Sequence, residues 1–213
     1  MADVADRLAG RRLYLCTADR PDLEDFVLAC ISGGVDIVQL RDKVLDARPV
    51  LDRAEALAAV CRAAGVPFIL NDRPDLALAC GADGVHVGQD DAPPALARRI
   101  LGDGAIIGLS THAADQLAAS ADEPIDYVSA GPVNATPTKP GRPGVGLGYL
   151  SHAAEHAAFP FYVTGGVTPE TVPSMAAAGA TRFVVVRYLT ESDDPEAAAR
   201  RLRTAIDATA KPA

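Results

Sequence analysis

NDRPDLALACGADGVHVGQDD, residues 71–91, sets the architecture of this chain. It begins at the end of one apolar run, Phe68-Ile69-Leu70, and closes just after a second run, Gly84-Val85-His86-Val87. A short Ala- and Leu-rich helical pattern separates the two runs. Two short apolar runs joined by one helix predict a βαβ unit, in which the two strands are parallel. We therefore expect a sheet whose strands share one direction and whose connections are helices.

Two acids, Asp72 and Asp91, follow the two predicted strands. Because parallel strands share a direction, their carboxyl ends lie at one edge of a sheet, and the two carboxylates would converge there. Carboxylate oxygens suit Mg²⁺, which takes one or two carboxylates and completes its shell with substrate phosphate and water. The pair therefore predicts a Mg²⁺ site. The alternative is that Asp72 caps the following helix and that Asp91 is an acid at a loop tip.

Short apolar runs alternate with helical patterns along the whole chain. The predicted strands are residues 13–16, 35–40, 68–70, 84–87, 105–109, 126–129, 161–163 and 182–186. Helical patterns follow each of them; the one after the second strand covers residues 47–64 and ends at Gly65, and the last covers residues 194–208. Eight strands and eight helices in a single domain of residues 1–213 predict an α/β fold, the (β/α)8 TIM barrel. An open doubly wound sheet is the alternative, but polar residues follow the strands all the way round, as in a barrel with its active site at that face.

Composition restricts the class of ligand. Of the 213 residues, 49% are hydrophobic and 23% are charged, and no apolar run approaches the roughly 18 residues that a membrane span needs. The formal charge of −8 argues against nucleic acid and anionic membranes as partners. The N-terminal sequence lacks the basic residues and apolar core of a signal peptide, and the four cysteines form no C-x-x-C pair. We therefore expect a cytoplasmic protein with buried thiols that binds small anionic molecules; its oligomeric state is not predicted.

Two segments supply the positive charge that an anionic ligand needs. Gln39-Leu40-Arg41-Asp42-Lys43 ends the second predicted strand, where Arg41 can grip a diphosphate with two parallel hydrogen bonds and Lys43 can add a point charge. Thr136-Pro137-Thr138-Lys139 adds hydroxyls and an ammonium within residues 131–148, a stretch rich in proline and glycine that predicts a functional loop. A solvated helix cap and a Pro-rich surface turn are the respective alternatives.

Glycines follow the seventh predicted strand, in Thr164-Gly165-Gly166-Val167. Glycine lets backbone N–H groups approach a ligand closely. In (β/α)8 barrels the loops after strands seven and eight commonly bind a phosphate. We therefore predict a second anion site there, separate from the first.

Three other patterns favour structure over chemistry. His152-Ala-Ala-Glu155-His156 matches the H-x-x-E-H motif of one zinc peptidase class, but no third ligand is evident and the pattern arises easily in an Ala-rich surface helix. Gly144-Val-Gly146-Leu-Gly148 lacks the strand-to-helix context of a dinucleotide site and predicts a flexible loop. His86, on the fourth strand, is either a hydrogen-bonded core histidine or a group that orients a neighbour.

In their order along the chain, these motifs resemble those of the thiamine-phosphate synthases. The matching segments are QLRDK at 39–43, ND at 71–72, GADGVHVGQDD ending at Asp91, GLSTH around Ser110, GP to TPTK over 131–139 and TGGV at 164–167. The resemblance implies a (β/α)8-barrel transferase of thiamine biosynthesis. Such an enzyme joins an aminopyrimidine methyl diphosphate to a thiazole phosphate, or to its carboxylated tautomer, by Mg²⁺-assisted dissociative loss of diphosphate.

The resemblance also implies a role for each matching residue. The pyrimidine diphosphate would be held by Gln39, Leu40, Arg41, Asp42, Lys43, Asn71, Ser110 and Lys139. The thiazole phosphate would be held by Thr136, Thr138, Gly166, Val186 and Arg187. Asp72 and Asp91 would ligate Mg²⁺. The catalytic residues would be Arg41, Lys43, Lys139 and Ser110. Of these, the three cations would stabilise, with Mg²⁺, the charge that develops on the leaving diphosphate.

One dipeptide departs from the family pattern. Val186-Arg187 stands where many members have Ile-Ser, so the thiazole phosphate site is the point of difference. Two alternatives to a synthase are a thiazole tautomerase-like barrel and a non-catalytic paralogue that binds phosphorylated ligands. The QLRDK, ND and TPTK segments favour the synthase, because a tautomerase has no need for a diphosphate and metal site.

Overall fold

A computed structural model describes residues 4–135 and 143–210; Thr136, Thr138 and Lys139, which the sequence predicts as ligand contacts, lie outside these ranges. The strands are β1 (Leu13–Thr17), β2 (Ile37–Leu40), β3 (Phe68–Asn71), β4 (Gly84–Val87), β5 (Ile106–Thr111), β6 (Tyr127–Ala130), β7 (Phe161–Val163) and β8 (Phe183–Val185). They form a closed barrel in chain order, and every neighbouring pair is parallel. The predicted (β/α)8 barrel is confirmed, and the open sheet is excluded.

Helices pack around the barrel, and the first of them precedes β1 and lies at the amino end. In the described part of the chain they are α1 (Val4–Leu8), α2 (Leu23–Ser32), α3 (Ala47–Ala64), α4 (Pro74–Cys80), α5 (Pro94–Leu101), α6 (Ala114–Ala119), α7 (Gly146–His156), α8 (Val172–Ala177), α9 (Arg187–Thr190) and α10 (Pro195–Ala208). Within those described residues, no helix is both long and apolar enough to cross a membrane.

Two apolar cores lie on the two sides of the sheet. The outer core packs the helices against the barrel and includes the thiols of Cys30 and Cys61, whose pKa values burial raises to about 12. The inner core fills the barrel with Tyr14, Ile37, Ile69, Ile106, Tyr127 and Tyr162, and Val4 and Leu8 of α1 pack beneath them. Because α1 covers the amino end of the barrel, the cavity that the described residues form opens at the carboxyl end of the strands.

The connection after β6 is shorter than the sequence predicts. The predicted loop covers residues 131–148, but α7 already begins at Gly146. The N–H of Gly146 donates to the Val133 carbonyl at 3.0 Å, which folds the chain back onto the end of β6, and the buried Leu150 anchors the helix. The prediction of a flexible loop was wrong for Gly146 to Gly148, where packing outweighs the low helix propensity of glycine, while Gly144 lies outside the helix.

Candidate active site

A cavity of about 540 Å³ opens at the carboxyl ends of the strands. This is a typical volume for a site that binds a small molecule. All eight strands, or the loops after them, contribute to its wall. The predicted site residues that line it are Gln39, Arg41, Lys43, Asn71, Asp72, Asp91, Ser110, Gly166, Val186 and Arg187. Residues that the sequence places far apart are therefore brought together at one opening.

The side chains of two predicted contacts, Leu40 and Asp42, turn away from this cavity. Leu40 is buried in the outer core, since successive side chains of a strand point to opposite faces. The Asp42 carboxylate accepts hydrogen bonds from the N–H groups of Val44 and Leu45, both at 2.8 Å. These two side chains thus serve the core and the shape of the loop after β2.

Asp72, Asp91 and Lys43 form a charged cluster in the wall. Lys43 Nζ lies 2.7 Å from Oδ2 of Asp72, and Asp91 Oδ2 accepts a hydrogen bond from the N–H of Gly88 at 2.8 Å. Burial raises the pKa of Asp72, and the neighbouring Asp91 carboxyl raises it further against the opposing effect of Lys43. Both carboxyls line the same cavity, so they are candidates to hold one cation together.

The backbone of Asp72 has a left-handed conformation, with φ at 62°. Across this residue the N–H of Arg73 donates to the Asn71 carbonyl at 2.8 Å, and the Asp72 N–H donates to the His86 carbonyl of β4 at 2.8 Å. A left-handed non-glycine residue costs about 1–2 kcal/mol, and such strain is concentrated at ligand sites. With this tight turn, the consecutive residues Asn71 and Asp72 both line the cavity.

Asn71 carries a buried amide donor. The residue is 8% exposed, and its Nδ2 has no hydrogen-bond partner among residues 4–135 and 143–210. An unsatisfied buried donor costs about 1–3 kcal/mol. A ligand atom that accepts a hydrogen bond would recover this cost, so Asn71 fits a ligand contact better than a structural role.

A chain of hydrogen bonds, which we call the interior relay, crosses the floor of the cavity. Its members are Gln39, Tyr14, Tyr127, His86 and Ser110. Gln39 Nε2 donates to Tyr14 Oη at 2.8 Å, and the two tyrosine hydroxyls are 2.9 Å apart. Nδ1 of His86 lies 3.0 Å from Tyr127 Oη, and its Nε2 lies 2.9 Å from Ser110 Oγ. His86 is thus both a hydrogen-bonded core histidine and a neighbour that can orient Ser110.

The sequence did not predict the two tyrosines of the relay as cavity residues. Tyr14 and Tyr127 lie within predicted strands, at positions that alternate with residues of the outer core. This two-residue alternation was the available signal, because it assigns them to the inside of a barrel.

The opposite wall of the cavity is formed by the end of the barrel after β7 and β8, and it includes glycine backbone, so we call it the backbone wall. Gly165 and Gly166 after β7 have left-handed φ values of 99° and 77°, which suit glycine. The short helix α9, which the sequence does not predict because its four residues show no period, begins at Arg187 after β8. Among the hydrogen bonds between described residues, none uses the N–H of Gly166 or Arg187. Loops seven and eight with a short extra helix are the usual phosphate site of this fold.

The side chains of the H-x-x-E-H pattern on α7 do not form a metal site with other described residues. The rings of His152 and His156 have centroids 4.4 Å apart, and His156 Nε2 lies 3.8 Å from a carboxylate oxygen of Glu155. Across the part of the chain that the structure describes, no group of three or more His, Cys, Asp or Glu side chains could hold a metal ion. A metal held by Asp72 and Asp91 would therefore have no third His, Cys, Asp or Glu ligand among the described residues.

The closed parallel barrel, with a polar cavity at the carboxyl ends of its strands, defines the class of (β/α)8-barrel enzymes. The family model described as thiamine monophosphate synthase matches residues 13–189. The chain is 49% identical over 209 residues to the thiamine-phosphate synthase of Thermobifida fusca, with 96% of each chain covered. It is 46% identical over 215 residues to that of Mycolicibacterium smegmatis, with 95% of each covered. The chain belongs to the thiamine-phosphate synthase family.

Solved structures agree with this assignment. The thiamine phosphate pyrophosphorylase of Pyrococcus furiosus superposes with a TM-score of 0.87 at 26% identity, over 98% of this chain and 100% of that one. A 3-hexulose-6-phosphate synthase from Salmonella typhimurium has a TM-score of 0.68 at 18% identity, over 93% and 100% of the two chains, and shares the fold. The resemblance predicted from the motifs is confirmed, and the chain is a transferase of thiamine biosynthesis.

Proposed function

We propose that this protein joins 4-amino-2-methyl-5-(diphosphooxymethyl)pyrimidine to 4-methyl-5-(2-phosphoethyl)thiazole, or to its carboxylated tautomer, to give thiamine phosphate and diphosphate. One observation carries the proposal. A single cavity has charged side chains after β2, β3 and β4 on one wall and glycine backbone with Arg187 after β7 and β8 on the other. Two anions can therefore bind at separate ends, which is what a reaction between a diphosphate and a phosphate requires.

The charged wall would hold the pyrimidine diphosphate. Arg41 and Lys43, with Lys139, would bind the diphosphate, while Gln39, Asn71 and Ser110 would hold the ring and the reacting carbon. The C–O bond breaks first, and its electron pair leaves with the diphosphate. Positive groups stabilise the charge that develops on this leaving group. The thiazole nitrogen then forms the new N–C bond to the electron-deficient carbon, so no protein nucleophile takes part.

Asp72 and Asp91 would hold Mg²⁺. Two neighbouring carboxylates, with no third His, Cys, Asp or Glu ligand beside them among residues 4–135 and 143–210, fit this ion, which commonly keeps several waters and binds substrate phosphate. When bound, the ion supplies positive charge beside the departing diphosphate. The ammonium of Lys43 already lies at Asp72, so it can serve the carboxylate and the diphosphate together.

The backbone wall would hold the thiazole phosphate. Gly166, Val186 and Arg187 line this end of the cavity, and Thr136 and Thr138 would complete it. The exposed guanidinium of Arg187 stands at the mouth, where many family members have serine, and can add a charged contact to those of the backbone.

Release of diphosphate tests the proposed function directly. Purified protein is mixed with both substrates and Mg²⁺, and diphosphate and thiamine phosphate are measured together. We expect equal amounts of the two products, and none when either substrate is left out. Conversion of the carboxylated thiazole without the pyrimidine would favour a tautomerase, and binding of both substrates without products would favour a non-catalytic paralogue.

The proposed substrates also bear on partners and location. Both are small phosphorylated molecules, and the net charge of −8 disfavours nucleic acid and anionic lipid. We infer that the protein works in the cytoplasm on small molecules alone.

A further inference from the structure

The interior relay begins at an amide whose orientation is defined by its neighbours. Oε1 of Gln39 faces the Cys16 thiol, with Sγ at 3.2 Å, and Nε2 faces the Tyr14 hydroxyl at 2.8 Å. A thiol donates a hydrogen bond weakly and accepts one poorly, so the oxygen is the better neighbour for it. An amide nitrogen can only donate. Tyr14 Oη therefore accepts a hydrogen bond from Gln39.

Each tyrosine hydroxyl of the relay has one proton to donate. Burial raises the pKa values of Tyr14 and Tyr127, so both are protonated at neutral pH. Tyr14 accepts from Gln39, and its own proton then has the Tyr127 hydroxyl, 2.9 Å away, as an acceptor, so we assign Tyr14 as the donor of that hydrogen bond. Tyr127 then accepts a hydrogen bond from Tyr14 and donates its own hydrogen bond to Nδ1 of His86 at 3.0 Å. The orientation of the Gln39 amide thus defines the donor and the acceptor in each hydrogen bond from Gln39 to His86.

The same reasoning defines the hydrogen bonds of Ser110. Since Nδ1 of His86 accepts, the ring carries its proton on Nε2, which donates to Ser110 Oγ at 2.9 Å. The Ser129 hydroxyl also donates to Ser110 Oγ, at 3.4 Å. Both lone pairs of that oxygen are then occupied, and the hydroxyl proton of Ser110 has no acceptor among the described residues. Ser110 lines the cavity, so a ligand is left to accept this proton.

We propose that the interior relay is a positioning device that holds His86 as the neutral Nε2–H tautomer and so makes Ser110 a one-way donor to the substrate. The group that it recognises is a hydrogen-bond acceptor, such as a phosphate oxygen or an unprotonated ring nitrogen. The identity of the bound substrate rests on the proposed function, but the tautomer does not. Tyr14, Tyr127 and His86 are positioning residues in this scheme, because they act on the ligand only through Ser110.

Gly108 on β5 leaves the room that the contact between Tyr127 and His86 needs. A Cβ atom at Gly108 would collide with the Tyr127 ring and would lie 2.5 Å from His86 Nδ1. The backbone of Gly108 has no left-handed φ, so its conformation does not call for glycine. The absence of a side chain at this position instead leaves the space in which the tyrosine hydroxyl and the imidazole meet.

The first test measures the tautomer of His86 without substrate. Side-chain nitrogen resonances of ¹⁵N-labelled protein are recorded, and the His86 signals are assigned by their loss in His86→Gln. We expect the proton on Nε2 in the wild type and in Tyr162→Phe, a matched control whose hydroxyl donates to the Arg11 carbonyl and lies outside the relay. In Tyr127→Phe the Nδ1–H form should become populated. A wild-type proton on Nδ1, or an unchanged tautomer in Tyr127→Phe, would overturn the proposal.

The second test measures turnover. We expect Tyr127→Phe to lower kcat about tenfold, the effect of one misdirected hydrogen bond, with both KM values within about twofold. Tyr162→Phe should keep kcat within about twofold. His86→Gln retains a donor near the position of Nε2 and should be several times faster than His86→Asn, whose shorter amide reaches only toward Tyr127. Equal kcat in Tyr127→Phe and Tyr162→Phe would contradict the relay, whereas an inactive wild type with the expected tautomer would contradict only the proposed function.

Discussion

At the scale of single residues, the two acids after β3 and β4 give the sharpest test of the metal proposal. We expect Asp72→Asn and Asp91→Asn each to raise the Mg²⁺ concentration for half-maximal rate by about tenfold to a hundredfold, because a charged ligand is lost while the shape is kept. Asparagine also tolerates the left-handed φ of Asp72, so the fold should survive. Initial rates across a Mg²⁺ titration measure the effect.

Asp90→Asn is the matched control for this titration, since Asp90 is exposed next to Asp91 and does not line the cavity. It should leave the Mg²⁺ dependence unchanged. The same unchanged dependence in both Asp72→Asn and Asp91→Asn would remove the case for a shared ion.

Arg187 tests the other end of the cavity. Arg187→Ser restores the residue that many family members carry and removes a guanidinium that can form charge-assisted hydrogen bonds. Such bonds are worth about 1.5–3 kcal/mol, so KM for the thiazole phosphate should rise about tenfold to a hundredfold while KM for the pyrimidine diphosphate stays nearly constant. Steady-state kinetics with each substrate varied in turn measures both values.

Arg99→Ser, on the exposed face of α5, controls for the general loss of one positive charge. If the thiazole phosphate KM stays within about twofold of wild type in Arg187→Ser, the phosphate is bound without a contact from the Arg187 side chain. A higher KM for the pyrimidine diphosphate instead would mean that Arg187 binds that anion.

Charged cavity residues could be predicted from the sequence, but the relay could not. Arg41, Lys43 and Asp72 stand out because charge directly follows an apolar strand. Tyr14 and Tyr127 are 113 residues apart, and their hydroxyls meet only across the closed barrel. Their pairing depends on side-chain packing, for which one sequence carries no local signal.

At the scale of elements, the glycines at the start of α7 give opposite predictions. A Cβ at Gly148 would meet nothing within 4 Å, and the residue lies inside the helix, so Gly148→Ala should stabilise the protein by about 0.5–1 kcal/mol. Gly146 has an equally open position but a φ of 72°, so Gly146→Ala should give no such gain and should destabilise. Urea unfolding of the two variants measures the difference. Destabilisation by Gly148→Ala would mean that α7 begins later.

The boundaries of α7 and α9 show where local patterns fail. Three glycines close together normally predict a loop, but here the buried Leu150 and Ala153 hold the helix in place. α9 fits between β8 and α10 as a single turn, and a single turn has no repeat to detect. By contrast, α3 agrees with its prediction over all 18 residues, because a long apolar period and a terminal glycine act together.

At the scale of the whole molecule, Asp36 ties the first strand to the last helix. Its carboxylate accepts the N–H groups of Arg12 and Leu13, each at 2.9 Å, and lies 2.8 Å from the Arg203 guanidinium of α10. We expect Asp36→Ala to lower the free energy of unfolding by about 2–4 kcal/mol, because several partners lose a mostly buried acceptor. Denaturant unfolding measures this value.

Asp207→Ala is the control for that experiment. Asp207 binds the same guanidinium at 3.0 Å, but its side chain is 51% exposed. Water replaces an exposed partner at little cost, so the loss should be within about 1 kcal/mol. Equal losses in the two variants would show that Asp36 acts as an ordinary surface acid.

Closure of the barrel is also a property of the whole chain. The repeat of strands and helices predicts parallel neighbours, but only contacts between the two ends of the chain distinguish a barrel from an open sheet. β1 meets β8 in the register Leu13 to Phe183, and this pairing is not visible in either strand alone. That residues 1–213 form one domain stays a prediction, which the family match over 13–189 supports.

The packing of α1 against the amino end of the barrel has a kinetic consequence. Val4 and Leu8 seal the amino end of the barrel, so in the part of the chain that the structure describes the cavity is blind. Substrates and products must then pass through the same opening. The substrate that binds deeper in the cavity must therefore bind first. If the pyrimidine seats at the buried Gln39 and Asn71, it must enter before the thiazole phosphate covers it. A large excess of thiazole phosphate would then block the entrance and slow the enzyme.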